Sequence, residues 1–166
     1  MVLLSDLKPF KIDYSNLPGQ VYYFWMMEYI LSHFVSEEYI IELIPNSPQS
    51  EFGAHWGGFL IALKDKEGNR KAFCHAGLVY HPGTEVGIYA ELESWSNAAV
   101  FQKIWRDVEP ASGFDLNKEE SDFLKFFFRK DQLGELMNAG DVNKQMDMLT
   151  KFLDAFFNAV LKAVNK

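Results

Sequence analysis

Cysteine is all but absent from this chain. Cys74 stands alone among 166 residues, so no intrachain disulfide can form, which fits a reducing compartment. Positive charge is missing over long stretches. No Lys or Arg occurs between Lys11 and Lys64, where Asp13, Glu28, Glu37, Glu38, Glu42 and Glu51 fall. None occurs between Lys71 and Lys103, where Glu85, Glu91 and Glu93 fall. The net charge is −7. Such an acidic field repels phosphate backbones and argues against direct nucleic-acid binding. Two uses for the charge are left, attraction of a basic partner or solubility alone. Long apolar runs are missing as well. Only Val2, Leu3 and Leu4 precede Asp6, without the apolar stretch of a signal peptide, and the uncharged run from Tyr14 to Met27 is too short to span a bilayer and contains Pro18 and Gly19. The expectation is a cytoplasmic protein without a membrane segment.

Catalytic signatures are lacking too. The chain has no Walker, Rossmann, Gly-x-Ser-x-Gly, Cys-x-x-Cys or His-Glu-x-x-His pattern. Gly57-Gly58 leads into a strand pattern with no Lys-Ser or Lys-Thr behind it, so it does not cradle phosphate. No cofactor is expected.

What the chain does have is aromatic residues: fifteen Phe, seven Tyr and four Trp. That is more than a core of this size needs, so some are expected in a contact patch. An aromatic-rich core is the plainer account of the same number.

The length fits one domain, residues 1–166. The stretch from His55 to Ser94 organises it, reading as an antiparallel meander. Gly58–Asp65, Arg70–Tyr80 and Glu85–Glu93 are the expected strands, and Lys66–Asn69 and His81–Thr84 the turns, where Gly and Asn permit the required backbone. If Tyr80 faces Glu85, then Val79 faces Val86, Gly77 faces Ile88, His75 faces Ala90 and Phe73 faces Leu92. The polar residues of the third strand then collect on one face, which marks it as a sheet edge or a cleft wall.

Around the meander, Asn16–Gly19 reads as a turn into a helix over Val21–Phe34, apolar nearly all round, with Glu28 and His33 on its solvent side. Tyr39–Ile44 is rich in β-branched residues and reads as a short strand, followed by a loop over 45–54. Val100, Phe101, Ile104, Trp105 and Val108 give a helix over 96–108. Residues 110–117 read as a loop, and Asn117 with Glu120 as a capping box. Leu124, Phe126 and Phe128 alternate as a strand over Phe123–Arg129, and Gly134–Gly140 connects it onward. Last comes a long amphipathic helix capped by Asp141, its stripe running Val142, Met146, Leu149, Leu153, Phe156, Val160, Val164. The expected fold is α+β: a three- to five-stranded, mainly antiparallel sheet packed by these helices.

Candidate chemistry is sparse. Cys74-His75 resembles a thiol–imidazole pair, but neighbours on a strand point to opposite faces. Cys74 is thus a packed residue, and His75 a satisfied buried histidine. Glu91 and Glu93 share a strand face, and two carboxylates in that relation bind a divalent metal or do acid–base work. A solvated edge whose charges discourage strand pairing explains them as well. His55, His81 and Glu85 form a second metal candidate, because the meander brings the start of its first strand near the end of its second. The leading functional expectation is a non-enzymatic interaction or regulatory module, acting on a protein partner or by self-association. A metal-dependent hydrolase or nuclease using Glu91 and Glu93 is the alternative, and a small-molecule binder with a pocket between sheet and first helix is the third reading.

Overall fold

The computed structural model describes residues 17–44, 56–80, 86–93, 114–117, 123–128, 135–136 and 138–165. Helix α1 covers Leu17–Ser32. Strands follow at Ile40–Leu43 (β1), Trp56–Lys64 (β2), Arg70–Tyr80 (β3), Val86–Glu93 (β4), Phe114–Asn117 (β5) and Phe123–Phe128 (β6), and helix α2 covers Val142–Val164. All strand pairs are antiparallel, in the order β1-β2-β3-β4-β6-β5. This is the α+β class expected, with an N-terminal and a C-terminal helix against an antiparallel meander. The expected arm at 1–15, the loop at 45–54, the second turn, the helix at 96–108 and the capping box running to Glu120 lie outside the described residues.

Each element has a local cause. Pro18 sits in the first turn of α1, where its missing N–H costs nothing, so the helix begins before the expected turn has ended. The chain leaves α1 at His33, whose amide bonds the Tyr29 and Ile30 carbonyls. Asp141 caps α2 by accepting from the Asn143 amide at 2.8 Å, and Lys162 lies in the last turn, where a cation suits the helix dipole. The β2–β3 turn closes through Asp65, whose amide bonds the Asn69 carbonyl, with Gly68 at a φ of 85° that favours glycine.

Asp65 is also held chemically. Lys71 Nζ lies 2.9 Å from Oδ2, and the Asn69 amide donates to Oδ1 at 2.8 Å. The Lys71 hydrogen bond, helped by Asn69, lowers the Asp65 carboxyl from 3.8 to about 2. A depressed folded-state value means that the turn's contribution is complete above the ordinary carboxylate range and is lost as pH falls through about 2. Carboxyl-detected NMR should place the Asp65 midpoint at about 2 and show it rising in Lys71→Met. An ordinary midpoint in the wild type would refute the assignment.

Three expectations about the sheet need correction. The register between β3 and β4 is one residue away from the expected one: Tyr80 faces Val86, Leu78 faces Ile88, Ala76 faces Ala90, His75 faces Glu91 and Cys74 faces Leu92. A slip of one residue exchanges every facing pair and regroups the side chains on both faces. The observed register puts Cys74, Ala76 and Leu78 with Ile88, Ala90 and Leu92 on the face packed by the helices. It puts His75 and Gly77 with Tyr89 and Glu91 on the other. Nor is β4 an edge, since β6 pairs along its far side, and the edges are β1 and β5. The loop expected at 110–117 gives way at Phe114–Asn117 to β5, which pairs with β6.

Both helices contribute to one core on one sheet face. Tyr23, Met26 and Met27 of α1 and Phe152, Phe156 and Phe157 of α2 are fully buried there. Ala72, Cys74, Ala76 and Ala90 in the central strands leave room for these large side chains, the complementary sizing that close packing needs. The space between α1 and the sheet, where the third reading placed a pocket, is lined by these packed residues. Polar ties fix the helices. Tyr22 Oη donates to Gln145 Oε1 at 2.8 Å, and Gln145 Nε2 donates to the Leu136 carbonyl at 3.0 Å, all inside the core. Tyr39 Oη donates to Asp154 Oδ1 at 2.7 Å, and burial together with that bond pushes the phenol's pKa up.

Candidate functional site

The corrected register creates a polar cluster that no single strand displays. On the sheet face away from the helices, His75 of β3 sits opposite Glu91 of β4, with Tyr89 two residues along. Tyr89 Oη lies 2.7 Å from His75 Nδ1, and Glu91 Oε1 lies 3.3 Å from the same nitrogen. An ionised carboxylate only accepts, so with Glu91 charged the proton belongs on Nδ1, shared between carboxylate and phenol oxygens. Leu60, His75 and Tyr89 are buried yet stand outside the hydrophobic cluster of the helix-packed face. Glu91 keeps only 13% of its side chain exposed, and its buried Oε2 has no hydrogen-bond partner among the described residues.

Glycines make the cluster possible. Gly58 of β2 faces Gly77 of β3. A Cβ at Gly58 would come within 2.7 Å of Tyr89 Oη and 2.8 Å of His75 Cε1, so the phenol and imidazole lie down over a strand that has no side chain there. The register row then runs Leu60, His75, Glu91, Lys125, Asn117 across five strands, with Lys125 placed opposite Glu91.

Of the two carboxylate candidates, Glu91 places Oε1 against His75 Nδ1. Glu93 shares its strand and stands opposite Phe123 in the register. Glu91 lies on an interior strand, so the charged-edge reading fails for it. His55, His81 and Glu85 lie outside the described residues. Among the described residues no group of three or more His, Cys, Asp and Glu is placed to hold a metal ion. Cys74 is in the helix-packed core and His75 on the opposite face, as strand alternation requires. Sequence reasoning missed the role of Tyr89 and the meeting of His75 with Glu91. The available signal was the Gly58/Gly77 pair, which marks a place where side chains from neighbouring strands need room.

A carboxylate holding an imidazole through Nδ1 is also how many general bases are oriented. Here His75 and Tyr89 are each under 5% exposed, and the cluster binds β3 to β4 within the sheet.

The exposed chemistry lies elsewhere. On α1, Trp25 is 58% and Tyr29 40% exposed, one turn apart, with Glu28, Ser32 and His33 exposed on the same side. His33 stacks on Tyr29 with ring centroids 4.3 Å apart and places Nδ1 2.8 Å from the Tyr29 carbonyl. Beyond the helix, Val35 and Ile40 are exposed too. The expected solvent side, Glu28 and His33, is correct, but it carries two large aromatics between and beside those residues. Among the described residues no helix is long and apolar enough to cross a membrane. The described residues thus form an α+β fold with a hydrophobic core on the helix side of the sheet, a buried polar cluster behind the sheet and an aromatic helix face outside. Comparison with protein-family models, with curated proteins and with solved structures found no match.

Proposed function

We propose that this protein is a non-enzymatic interaction module that holds a protein partner against the outer face of α1. One observation carries the reading: Trp25 and Tyr29 stand exposed in register on a helix whose inner face already fills the core. Partly apolar aromatic rings are the side chains that contribute most at protein interfaces. Leaving two of them in water one turn apart has no benefit for folding. Among the described residues, Tyr22, Tyr23, Tyr39, Phe59, Phe152, Phe156 and Phe157 are buried, whereas Trp25 and Tyr29 stand exposed.

The test is site-specific photocrosslinking in cells. A benzoylphenylalanine at position 25 should give a discrete heteromeric adduct, and the same group at position 151, exposed on α2, should not. Light scattering on the purified protein separates a second copy from a different partner. Equal adduct patterns from positions 25 and 151 would overturn the reading.

A further inference from the structure

We infer that the partner seated on α1 is a basic segment, with a Lys or Arg side chain laid over the Trp25–Tyr29 pair and met by Glu28. The inference rests on the docking reading above and adds the partner's chemistry. Trp25, Glu28 and Tyr29 are spaced by three and four residues, so the carboxylate and the second ring both lie one turn beyond the first ring on the same side of the helix. All three are exposed. A cation over an indole or phenol face is attracted by the ring quadrupole, and a carboxylate beside it adds charge attraction.

The cations of the first hairpin are already engaged. Lys64 pairs with Glu42, Lys66 with Glu38 and Lys71 with Asp65, while the Arg70 guanidinium stands 4.5 Å from the centre of the Phe73 ring. Lys64, Lys66, Arg70 and Lys71, grouped at the first hairpin, are thereby held by their neighbours. Glu28 beside the aromatic pair and Glu37 beside Val35 are exposed and have no ion-pair partner among the described residues. A negative field with aromatic faces in it, and no Lys or Arg in sequence from residue 12 to 63, is complementary to a basic, partly apolar segment. A second copy docked face to face would bring two acidic faces together, Glu28 and Glu37 from each copy adding negative charge to one interface. An anionic lipid surface or a nucleic acid carries the same sign as the stripe.

Selection of random dodecapeptides displayed on phage against the full-length protein tests this. Counter-selection uses a Trp25→Ala/Tyr29→Ala variant, both positions being exposed. Peptides that survive should carry net positive charge with an Arg or Lys beside an apolar residue. Made synthetically, they should lose about tenfold in affinity when that Arg or Lys becomes Gln, and about as much on Glu28→Lys. They should also weaken between about 0.05 and about 0.5 M salt. Circular dichroism and melting of each variant should match the wild type, since only solvent-facing groups change. Peptides that need Trp25 but are neutral or acidic, and are indifferent to Glu28→Lys, would overturn the basic partner and leave the docking face standing. Selection that yields no peptide distinguishing the wild type from the Trp25→Ala/Tyr29→Ala variant would overturn both.

Discussion

Gly77→Ala should destabilise the protein by about 3 kcal/mol, the upper part of what overpacking costs, with a fall in Tm of roughly 6–12 °C for a chain of this size. The reason is where the added carbon goes. A Cβ at position 77 would lie 2.0 Å from the Gly57 carbonyl oxygen and 2.5 Å from Gly58 Cα. These are backbone atoms of β2, so no rotamer change relieves the contact and the two strands must separate. β2 and β3 are both interior strands of the sheet, and Ile61 and Cys74, paired between them, both reach the core. Separation at Gly77 therefore disturbs hydrogen bonds and packing together. Gly140→Ala is the control, since a Cβ there meets nothing within 4 Å. Urea denaturation of both variants measures the difference. A Gly77→Ala variant within about 1 kcal/mol of wild type would show that β2 and β3 do not approach as closely as described.

His75→Leu should cost about 3 kcal/mol, the low end for breaking a buried ionic or charge-assisted pair. Losing the imidazole takes away the contact that His75 Nδ1 makes with Glu91 Oε1, and Oε2 already has no hydrogen-bond partner among the described residues. What remains is a largely buried carboxylate on an interior strand with no hydrogen-bonding partner among the described side chains. Glu91→Leu added to His75→Leu removes that charge, and the double variant should be more stable than His75→Leu alone by roughly 1–3 kcal/mol. A denaturation cycle at neutral pH with both single variants and the double gives the coupling directly. Additive costs would mean that His75 and Glu91 do not act on each other, and the cluster would lose its role as a tie between β3 and β4. The same cycle bears on function, because a strongly coupled structural pair accounts for Glu91 without any metal chemistry.

The elements were legible where their causes are local. The α2 stripe repeats with helical spacing, and Asp141 stands at its start. Capping and amphipathicity act within a few residues, so the ends at Val142 and Val164 follow from composition alone. The Asp65–Asn69 turn is set by Gly68 and by a side chain that bonds its own turn. Arg70–Tyr80 has the bounds expected of it, and the alternation that separates Cys74 from His75 belongs to any extended strand.

The site was less legible. Glu91 could be singled out as a carboxylate on a strand, and His75 as a satisfied buried histidine. Their meeting depends on whether Tyr80 faces Glu85 or Val86, a difference of one residue that either run of apolar side chains tolerates. Likewise β5 is four residues long, Phe114–Asn117, and has strand geometry only through β6 beside it. Its pairing with β6, and that of β6 with β4, makes β4 interior and turns an apparent charged edge into the wall of a buried cluster.

Taken by itself, then, the sequence determined the presence of α1 and α2, the first turn, the sheet's antiparallel character and the acidic, base-poor stretch over α1 and β1. The tertiary structure decided which strands are edges, which register joins β3 to β4, and which aromatics are left in water. Periodicity and turn chemistry are written into neighbouring residues, whereas register and exposure depend on what packs on both sides of a strand or helix. For that reason Trp25 and Tyr29 are indistinguishable from Tyr22 and Met26 until α1 has chosen the face it turns to the sheet.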